Sequence, residues 1–373
     1  MSVLPAPGRA ADCAQLEINL RAIAENYQRL QKEYTGRTMG AVVKADAYGL
    51  GARAIVPVLK KQGCRLFFVA HANEAADLFP LLRGGGRIAV FNGLMPGDEE
   101  FFIENDVIPV LNDLGQIERW SNLCREYERP APAFIHLDTG MNRTGLSPRD
   151  MQDLVERRSQ LLYGFEKAGY MTHPVAADEA ESPITREQYN LFMKWYRRLP
   201  PAPRGFCNSS AIFRHTDYHL EFCRPGYALW GGNPTPEKTN PMRSVVTLTA
   251  KVLQLRQIDT GESVGYGASW RAERPSRIAT VAAGYADGWL RHLSNAGKLK
   301  IGGIQTPMVG RVSMDAFGMD VTDVPDDKLK AGDDVTLLGK DCTVDDIGTM
   351  SGTIGYEILT SLGHRYQRVY TEG

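Results

Sequence analysis

Cysteine is scarce in this chain and is spread along its whole length. The sequence contains no C-x-x-C pair and no cluster of His and Cys at zinc-ligand spacing, so it gives no support to a structural zinc site. Scattered cysteines favour incidental thiols in a reducing compartment over a disulfide framework. The six cysteines among the 373 residues are Cys13, Cys64, Cys124, Cys207, Cys223 and Cys342.

A surplus of charge and long hydrophobic runs are also lacking. The 43 basic residues nearly balance the 44 acidic ones, so nothing drives binding to nucleic acid or to an anionic membrane. No apolar run approaches the length of a membrane span, and the opening segment "MSVLPAPGRAADCAQLEINL" lacks the charged and apolar regions of a secretory signal. We therefore expect a cytoplasmic protein with a small-molecule partner.

The order of the predicted elements favours a barrel. Between about residues 16 and 230, strand-like apolar runs alternate with amphipathic helical segments in about eight strand-helix units. That number is typical of a (β/α)8 barrel, whereas a doubly wound sheet usually needs fewer units. We predict an α/β fold with a TIM barrel over residues 14–235. The predicted barrel strands after "GAVVKA" are 66–70, 87–91, 107–110, 133–138, 168–173, 204–208 and a weaker one in "FCRPGYALW".

A second domain is predicted after the segment "GGNPTPEKTNP" at residues 231–241. Its two glycines and three prolines are typical of a break between structural elements. Beyond it, alternating segments such as "SVVTLTAKVLQL" are typical of strands, and long helical patterns are scarce. We predict a smaller, mostly β domain over residues 236–373.

Polar residues follow the predicted barrel strands at their carboxyl ends, the rim where barrel enzymes carry their reactive groups. Lys44 in "AVVKADAYGLGA" ends the first strand, and His173 ends the sixth. A lysine here has two interpretations. Its stem can lie on apolar surface with the head in water, or a partly desolvated amine can form a Schiff base and transfer protons. This segment alone does not decide between them.

Three further segments have both a functional and an ordinary interpretation. "CNSSAIFR" joins a strand to a helix start, which suits a phosphate but also a simple N-cap by Ser209. Arg224 in "RPGYALWGG" has a surface ion pair as its ordinary alternative. "ESVGYGASW" brackets Tyr266 with two glycines, so that the phenol is presented from a turn.

Taken together and in order, these segments resemble the alanine racemase family, whose members are fold-type III pyridoxal-phosphate enzymes. The resemblance extends over essentially the whole chain. It is carried by "AVVKADAYGLGA", "DTGMNRTGL", "THPVAADE", "CNSSA", "RPGYALWG", "VGYGASW", "GYADGWLR", "GRVSMD" and "TIGYEILTSLGHRYQRVY". One such motif alone is weak evidence for the family, whereas the whole set in this order is specific for it.

The resemblance implies a homodimeric enzyme that uses pyridoxal 5'-phosphate to interconvert L- and D-alanine. Lys44 and Tyr266 would be its two catalytic bases, with Tyr266 contributed by the second subunit. Residues implied in cofactor binding are Lys44, Tyr48, His173, Asn208, Ser209, Arg224, Gly226, Tyr227 and Tyr356. Residues implied at the substrate or at the entrance are Arg143, Met314 and Tyr285. The implied role is supply of D-alanine for peptidoglycan, with degradation of D-alanine left open.

Two residues depart from the family pattern. Many members carry a carbamylated lysine two places before the "DTGM" aspartate, where it pairs with the arginine that corresponds to Arg143. Here that position is His136, and a neutral imidazole does not supply the same negative charge. A bound anion, Asp138 or another carboxylate are the alternatives for orienting Arg143. Pro174 is a smaller departure, expected to alter the loop after His173.

The chemistry of racemisation supports the implied roles independently. A proton must leave Cα on one face and return on the other, which requires two acid-base groups on opposite sides. Arg224 would stay protonated and so would not transfer a proton to the pyridine nitrogen of the cofactor.

The competing hypotheses are racemisation of serine or of a broader set of amino acids, decarboxylation on the same fold, and a non-catalytic cofactor carrier. The predicted β domain argues against the carrier.

Overall fold

The structure is a computed structural model and describes residues 13–372. Its strands, in chain order, are β1 Ala14–Asn19, β2 Thr38–Met39, β3 Ala41–Val42, β4 Leu66–Val69, β5 Arg87–Val90, β6 Ile108–Leu111, β7 Pro132–His136, β8 Glu166–Met171, β9 Arg204–Gly205, β10 Phe222–Cys223, β11 Val246–Ile258, β12 Ser263–Val264, β13 Trp270–Arg271, β14 Ser276–Val281, β15 Lys298–Ile301, β16 Ile304–Val309, β17 Phe317–Asp320, β18 Asp334–Leu338 and β19 Gln367–Thr371.

The helices alternate with the strands in the first two thirds of the chain and are short in the last third. They are α1 Leu20–Glu33, α2 Lys44–Tyr48, α3 Ala52–Lys61, α4 Ala72–Leu82, α5 Glu99–Glu104, α6 Leu114–Glu126, α7 Pro148–Glu156, α8 Arg158–Leu161, α9 Ile184–Tyr196, α10 Val344–Met350 and α11 Gly355–Ser361. Within residues 13–372, none of them is long and apolar enough to cross a membrane.

The chain forms two compact units. Residues 23–229 and 233–243 form the barrel unit, and residues 13–22, 230–232 and 244–372 form the β unit.

In the barrel unit, the strands from β3 to β10 pair in sequence order and in parallel. β2 pairs with β10 while β3 pairs with β4, and only Gly40 separates β2 from β3. The parallel sheet therefore returns to its starting strand, and the predicted (β/α)8 barrel is confirmed.

Aromatic rings fill part of the barrel interior. The Phe134 ring centroid lies 5.7 Å from that of Phe68 and 5.0 Å from that of Phe222, and all three side chains are buried. A Cβ atom at Gly205 would lie 2.2 Å from the Phe222 ring, so only glycine leaves room for it on this strand. Each buried aromatic ring removes a large apolar area from water, which stabilises the closed sheet on which the rim residues depend.

The β unit confirms the predicted mostly β fold of the last third. Its main sheet has the strand order β15-β16-β17-β14-β11-β1-β19, with β18 also paired to β11. β1 is antiparallel to β11 and parallel to β19, and its Leu16 and Ile18 are fully buried. Residues 14–19 thus pair with strands of the β unit, although the sequence placed them with the barrel. The boundaries 14–235 and 236–373 stay predictions.

Candidate active site

Lys44 lies two residues beyond the end of strand β3, after Val43, and begins a turn of unusual backbone conformation. Ala45, Asp46, Ala47 and Tyr48 all have left-handed dihedrals, with φ angles of 52, 53, 54 and 58°. This conformation costs about 1–2 kcal/mol per residue for L-amino acids, so the surrounding structure must hold it in place. Gly49 and Gly51, with φ of 83 and 95°, adopt positive angles at little cost.

Two carboxylates hold this turn. One oxygen of Asp46 accepts a hydrogen bond of 2.7 Å from the backbone N–H of Ala52, at the start of α3. Oε1 of Glu74 accepts a hydrogen bond of 2.5 Å from the backbone N–H of Ala45. The turn is therefore fixed at both ends by side chains.

Several basic groups converge near Lys44. Burial lowers the pKa of the Lys44 amine below its ordinary value, and the Arg143 guanidinium lowers it further. Burial also lowers the pKa of His173 well below 6.5, and the neighbouring charges of Arg224, Arg143, His136 and Lys44 act in the same direction. A site with this many cationic and neutral basic groups attracts an anionic ligand, and it eases deprotonation of the lysine.

Arg224 is buried and only partly bonded. Its Nη2 donates a hydrogen bond of 2.5 Å to the carbonyl of Thr172, while its buried Nη1 has no hydrogen-bond partner among residues 13–372. Burial lowers the pKa of Arg224 to about 10, which still leaves the guanidinium protonated near neutral pH. Because buried polar groups are almost always paired in native proteins, the Nη1 group points to an acceptor on a bound molecule. The ordinary alternative, a surface ion pair, is wrong.

A small cradle lies at the ends of the last two barrel strands. The hydroxyl of Ser209 accepts hydrogen bonds from the backbone N–H groups of Gly226 at 3.0 Å and Ala228 at 3.1 Å. A Cβ atom at Gly226 would lie 2.5 Å from the Tyr48 hydroxyl, so glycine is required for this approach. Ser209 is not the N-cap of the short helical turn Ala211–Phe213, and the amide N–H of Ala211 instead donates to Oδ1 of Asn208 at 3.0 Å.

These residues fit a phosphorylated pyridine aldehyde. The Ser209 hydroxyl and the nearby backbone amides and Tyr48 hydroxyl provide polar groups for a phosphate. The buried Nη1 of Arg224 is a donor for a ring nitrogen, and the Lys44 amine is a nucleophile for an aldehyde. Tyr227, at the start of the short helical turn Tyr227–Trp230, follows Gly226 beside this cradle.

Asp138 organises the loop that carries Arg143. Its carboxylate accepts backbone hydrogen bonds of 2.9 Å from each of Gly140, Met141 and Asn142. The carboxylate that the sequence offered as a partner for Arg143 thus already binds three N–H groups of the loop. Arg143 itself is exposed in the described chain.

The predicted residues of the β unit are all exposed in the described chain. Tyr266 is 71% exposed in a turn between Gly265 and Gly267, beside a cavity of about 340 Å³. Arg311, Val264 and Phe317 are among the residues that line this cavity. Met314, Tyr285 and Tyr356 are likewise exposed aromatic or apolar side chains.

The turns that carry Tyr285 and Met314 are joined. Tyr285 N donates a hydrogen bond to Ser313 O at 3.0 Å, and a Cβ atom at Gly284 would lie 2.2 Å from Met314 O. Arg365 binds both carboxylate oxygens of Asp287, at 2.6 and 2.8 Å, and also Asp315 at 2.7 Å. The resemblance implied that Tyr285 and Met314 lie near the substrate, but it did not indicate that their turns are joined to each other.

The barrel with a rim lysine, a buried arginine and an anion cradle, together with the β unit, defines a two-domain class of barrel enzyme. Residues 18–234 match the family model "Alanine racemase, N-terminal domain", and residues 245–370 match "Alanine racemase, C-terminal domain". The chain belongs to the alanine racemase family.

Individual relatives support this assignment over nearly the full length. The chain is 46% identical over 354 residues to an alanine racemase of Acidiphilium cryptum, covering 95% of this chain and 98% of the relative. It is 44% identical to "Alanine racemase, catabolic" of Agrobacterium fabrum, covering 96% and 92%. The crystal structure of alanine racemase from Bartonella henselae with covalently bound pyridoxal phosphate is similar with a TM-score of 0.93 and 40% identity, covering 96% and 99%.

Four residues at these sites escaped the sequence-based prediction: Glu74, Asn112, whose Oδ1 lies 2.9 Å from Nδ1 of His136, Thr172 and Arg365. Glu74 had a weak signal, because a glutamate in the first turn of a predicted helix is typical of a capping box. Asn112 and Thr172 follow barrel strands β6 and β8, which places them at the rim. Their residue types do not by themselves mark them as site residues. Arg365 lies 78 residues from Asp287, and no local pattern connects the two.

Proposed function

We propose that the chain interconverts L- and D-alanine with pyridoxal 5'-phosphate as cofactor and Lys44 and Tyr266 as the two bases. The observation that carries the proposal is the combination, in one barrel rim, of a Lys44 amine whose pKa is lowered by burial with the unpaired buried Nη1 of Arg224. When bound, the cofactor supplies an electrophilic carbonyl carbon and a conjugated ring that withdraws electrons from the substrate Cα.

The barrel residues bind and orient the cofactor. Lys44 would hold it covalently, and the Ser209 hydroxyl, Gly226 N–H and Tyr48 hydroxyl would surround its phosphate, with Asn208 and Tyr227 adjacent. Arg224 would donate a hydrogen bond from Nη1 to the pyridine nitrogen, and His173 would lie beside the ring. Since a guanidinium keeps its proton, Arg224 would not protonate the ring nitrogen. The unprotonated ring withdraws electrons less strongly than a protonated one. Negative charge then stays near Cα, which favours rapid return of a proton to that carbon.

The two bases act on opposite faces of the substrate Cα. Once the substrate amine replaces it on the cofactor carbonyl carbon, the freed Lys44 amine would remove or return the proton on one face, and the Tyr266 phenol would do so on the other. Tyr266 is 71% exposed in the described chain, so its phenol is free to contact a second molecule. We include in the proposal a homodimer in which Tyr266 and Met314 reach the site of the other subunit. Arg143 and Tyr285 would contact the substrate, and Tyr356 would line the entrance.

Exchange of the α-hydrogen tests the reaction. In D₂O, the wild-type protein loaded with cofactor is expected to incorporate deuterium at Cα of both alanine enantiomers while optical rotation disappears. Lys44→Ala is expected to abolish turnover, and Tyr266→Phe to reduce exchange far more for one enantiomer than for the other. Wild-type protein that leaves the α-hydrogen of both enantiomers in place contradicts the proposal.

Mixing two inactive variants tests the shared site. When Lys44→Ala and Tyr266→Phe chains are refolded together, a mixed dimer with shared sites has one site with both changes and one with neither. About half of the dimers are then mixed, so about one quarter of wild-type activity returns. If the two residues act within a single chain, the mixture stays inactive.

Alanine is favoured over serine or a broader set of substrates by the names of the relatives, which are alanine racemases. The ratio of kcat/KM for alanine to those for serine and lysine measures this preference. A larger kcat/KM for serine or lysine contradicts it. A cytoplasmic enzyme that supplies D-alanine for peptidoglycan stays the proposed role.

A further inference from the structure

The Glu74 carboxylate connects two separate parts of the barrel rim. Its Oε2 accepts hydrogen bonds from the backbone N–H groups of Ala70 at 2.8 Å and His71 at 3.0 Å, directly before α4. Its Oε1 accepts the hydrogen bond of 2.5 Å from Ala45, which is 29 residues away. One oxygen therefore caps the helix to which Glu74 belongs, and the other binds the residue that follows Lys44.

The bonded residue is the first of the left-handed turn. Ala47 N donates to Val43 O at 2.9 Å and Gly49 N donates to Ala45 O at 2.7 Å, so these two later amides have backbone acceptors. The Ala45 N–H instead has the carboxylate of Glu74. Because Lys44 lies between β3 and this turn, the direction of its side chain depends on where the Ala45 peptide is held.

Charge gives a second connection between Glu74 and Lys44. Burial and Arg143 lower the pKa of the Lys44 amine, and the nearby Glu74 carboxylate raises it. The negative charge of Glu74 thus partly offsets the lowering of the Lys44 pKa by the neighbouring cationic group.

A role in helix capping alone does not account for the choice of glutamate. At the start of α7, Asp150 accepts a hydrogen bond of 3.1 Å from Ser147 N, and at the start of α10, Asp346 accepts one of 2.8 Å from Thr343 N. Both aspartates occupy the helix position that Glu74 occupies in α4. Aspartate is therefore sufficient for the local cap, and the additional methylene of glutamate is what reaches Ala45.

We propose that Glu74 is a positioning residue for Lys44, and that it acts by holding the left-handed turn at the Ala45 N–H. The proposal rests on the proposed function in one respect, namely that Lys44 is the residue that carries the cofactor and transfers a proton. Glu74 is assigned no contact with cofactor or substrate, and it acts on Lys44 through the Ala45 backbone and through its own negative charge.

The variant Glu74→Asp separates this role from capping, because aspartate keeps the local cap and is too short to keep the bond to Ala45. Asp150→Ala is the matched control, since it removes a capping carboxylate on another barrel helix. Three properties are measured on the holoenzyme: hydrogen exchange of the backbone amides of residues 44–51, kcat and KM for alanine, and the pH at which the absorbance of the bound cofactor changes.

For Glu74→Asp we expect exchange in residues 44–51 on the order of tenfold faster. We expect kcat to fall about 10- to 100-fold with KM changed by less than about twofold, because a displaced amine impairs proton transfer more than binding. The pH of the absorbance change is expected to shift. Asp150→Ala is expected to leave all three properties as in the wild type.

Two results overturn the proposal. Either Glu74→Asp matches Asp150→Ala in every property, which assigns Glu74 to capping alone, or exchange rises while kcat and the absorbance titration stay unchanged. The exchange measurement does not depend on catalysis. A wild-type chain without racemase activity would therefore contradict the proposed function, while the exchange of residues 44–51 would still show whether Glu74 holds the turn.

Discussion

His136 Nδ1 lies 2.9 Å from Oδ1 of Asn112. The side-chain nitrogen of Asn112 donates to the carbonyls of Phe91 and Val110, at 2.9 Å each, so its oxygen is the atom that faces the imidazole. Nδ1 must therefore carry the proton, and in the neutral ring Nε2 is an acceptor. Burial, together with the neighbouring charge of Arg224, lowers the pKa of His136 to about 4. This residue is thus a neutral hydrogen-bonding group where many family members carry a negative charge.

The neutral state of His136 predicts a pH dependence of stability. Its pKa is about 4 in the folded protein against an ordinary value of 6.5, so between these values the unfolded chain binds the additional proton. Stability is then lost as the pH falls from 6.5 toward 4, by a total on the order of 3 kcal/mol for this buried group. Urea unfolding at pH 7 and pH 4.5, at fixed protein concentration, measures the loss. His136→Asn is expected to show a smaller loss, and an equal loss in both proteins contradicts the prediction.

The barrel and its rim were predictable because their physical causes are local. Buried parallel strands give short apolar runs, and Lys44 and His173 each lie two residues beyond the carboxyl end of such a strand. Two glycines so close together, Gly49 and Gly51, are typical of a turn. The left-handed dihedrals of Ala45 to Tyr48 were not predictable, since alanine and aspartate rarely adopt them and a distant carboxylate holds the first of them.

Long-range pairing explains the other gaps. The alternating segment "AQLEIN" is typical of a half-buried strand, but nothing in it indicates pairing with β11 and β19, whose partner residues lie more than 200 positions away. Similarly, Arg365 joins Asp287 to Asp315 only once the sheet of the β unit has formed. Sequence order places residues at the ends of strands and does not specify which distant side chains meet there.

The approach of Gly226 to Tyr48 predicts sensitivity to one added methyl group. In Gly226→Ala, the new Cβ would lie 2.5 Å from the Tyr48 hydroxyl and 3.2 Å from Val42 Cβ, so the phenol must move out of the cradle. We expect the Kd for pyridoxal phosphate to rise about tenfold, the effect of one lost hydrogen bond to a charged group. Fluorescence titration measures it. Gly115→Ala is the control, because its nearest neighbours are side-chain ends at 3.1 and 3.4 Å. Equal affinities in the two variants contradict the prediction.

The unpaired Nη1 of Arg224 predicts that cofactor binding stabilises the protein partly through this atom. Pyridoxal phosphate at 100 times its Kd is expected to add about 2.7 kcal/mol to the free energy of unfolding. Arg224→Met keeps a long apolar stem without the donor and is expected to weaken binding by about 1.5–3 kcal/mol. Thermal unfolding with and without cofactor measures both effects. If Arg224→Met gains as much stability from the cofactor as the wild type, Nη1 has no role in binding it.

Arg365 predicts a coupled loss of stability and substrate turnover in the β unit. Its guanidinium binds both oxygens of Asp287, whose side chain is only 8% exposed, and also reaches Asp315 in the segment after Met314. Lysine cannot form the same bidentate pair, so Arg365→Lys leaves the buried carboxylate incompletely bonded. Because Arg365 itself is half-exposed, we expect only a modest loss in the free energy of unfolding. The turns of Tyr285 and Met314 are expected to loosen, which lowers kcat/KM for alanine about tenfold.

Arg274→Lys is the matched control for this change. Arg274 binds Asp323 at 2.6 Å, and both side chains are more than half exposed, so its replacement is expected to change stability less than Arg365→Lys does. Urea unfolding and steady-state kinetics of the two variants separate the effects. A stable Arg365→Lys protein with reduced kcat/KM assigns Arg365 to positioning the two turns. A destabilised protein with unchanged kcat/KM restricts it to a structural ion pair, because Tyr285 and Met314 would then keep their positions without it.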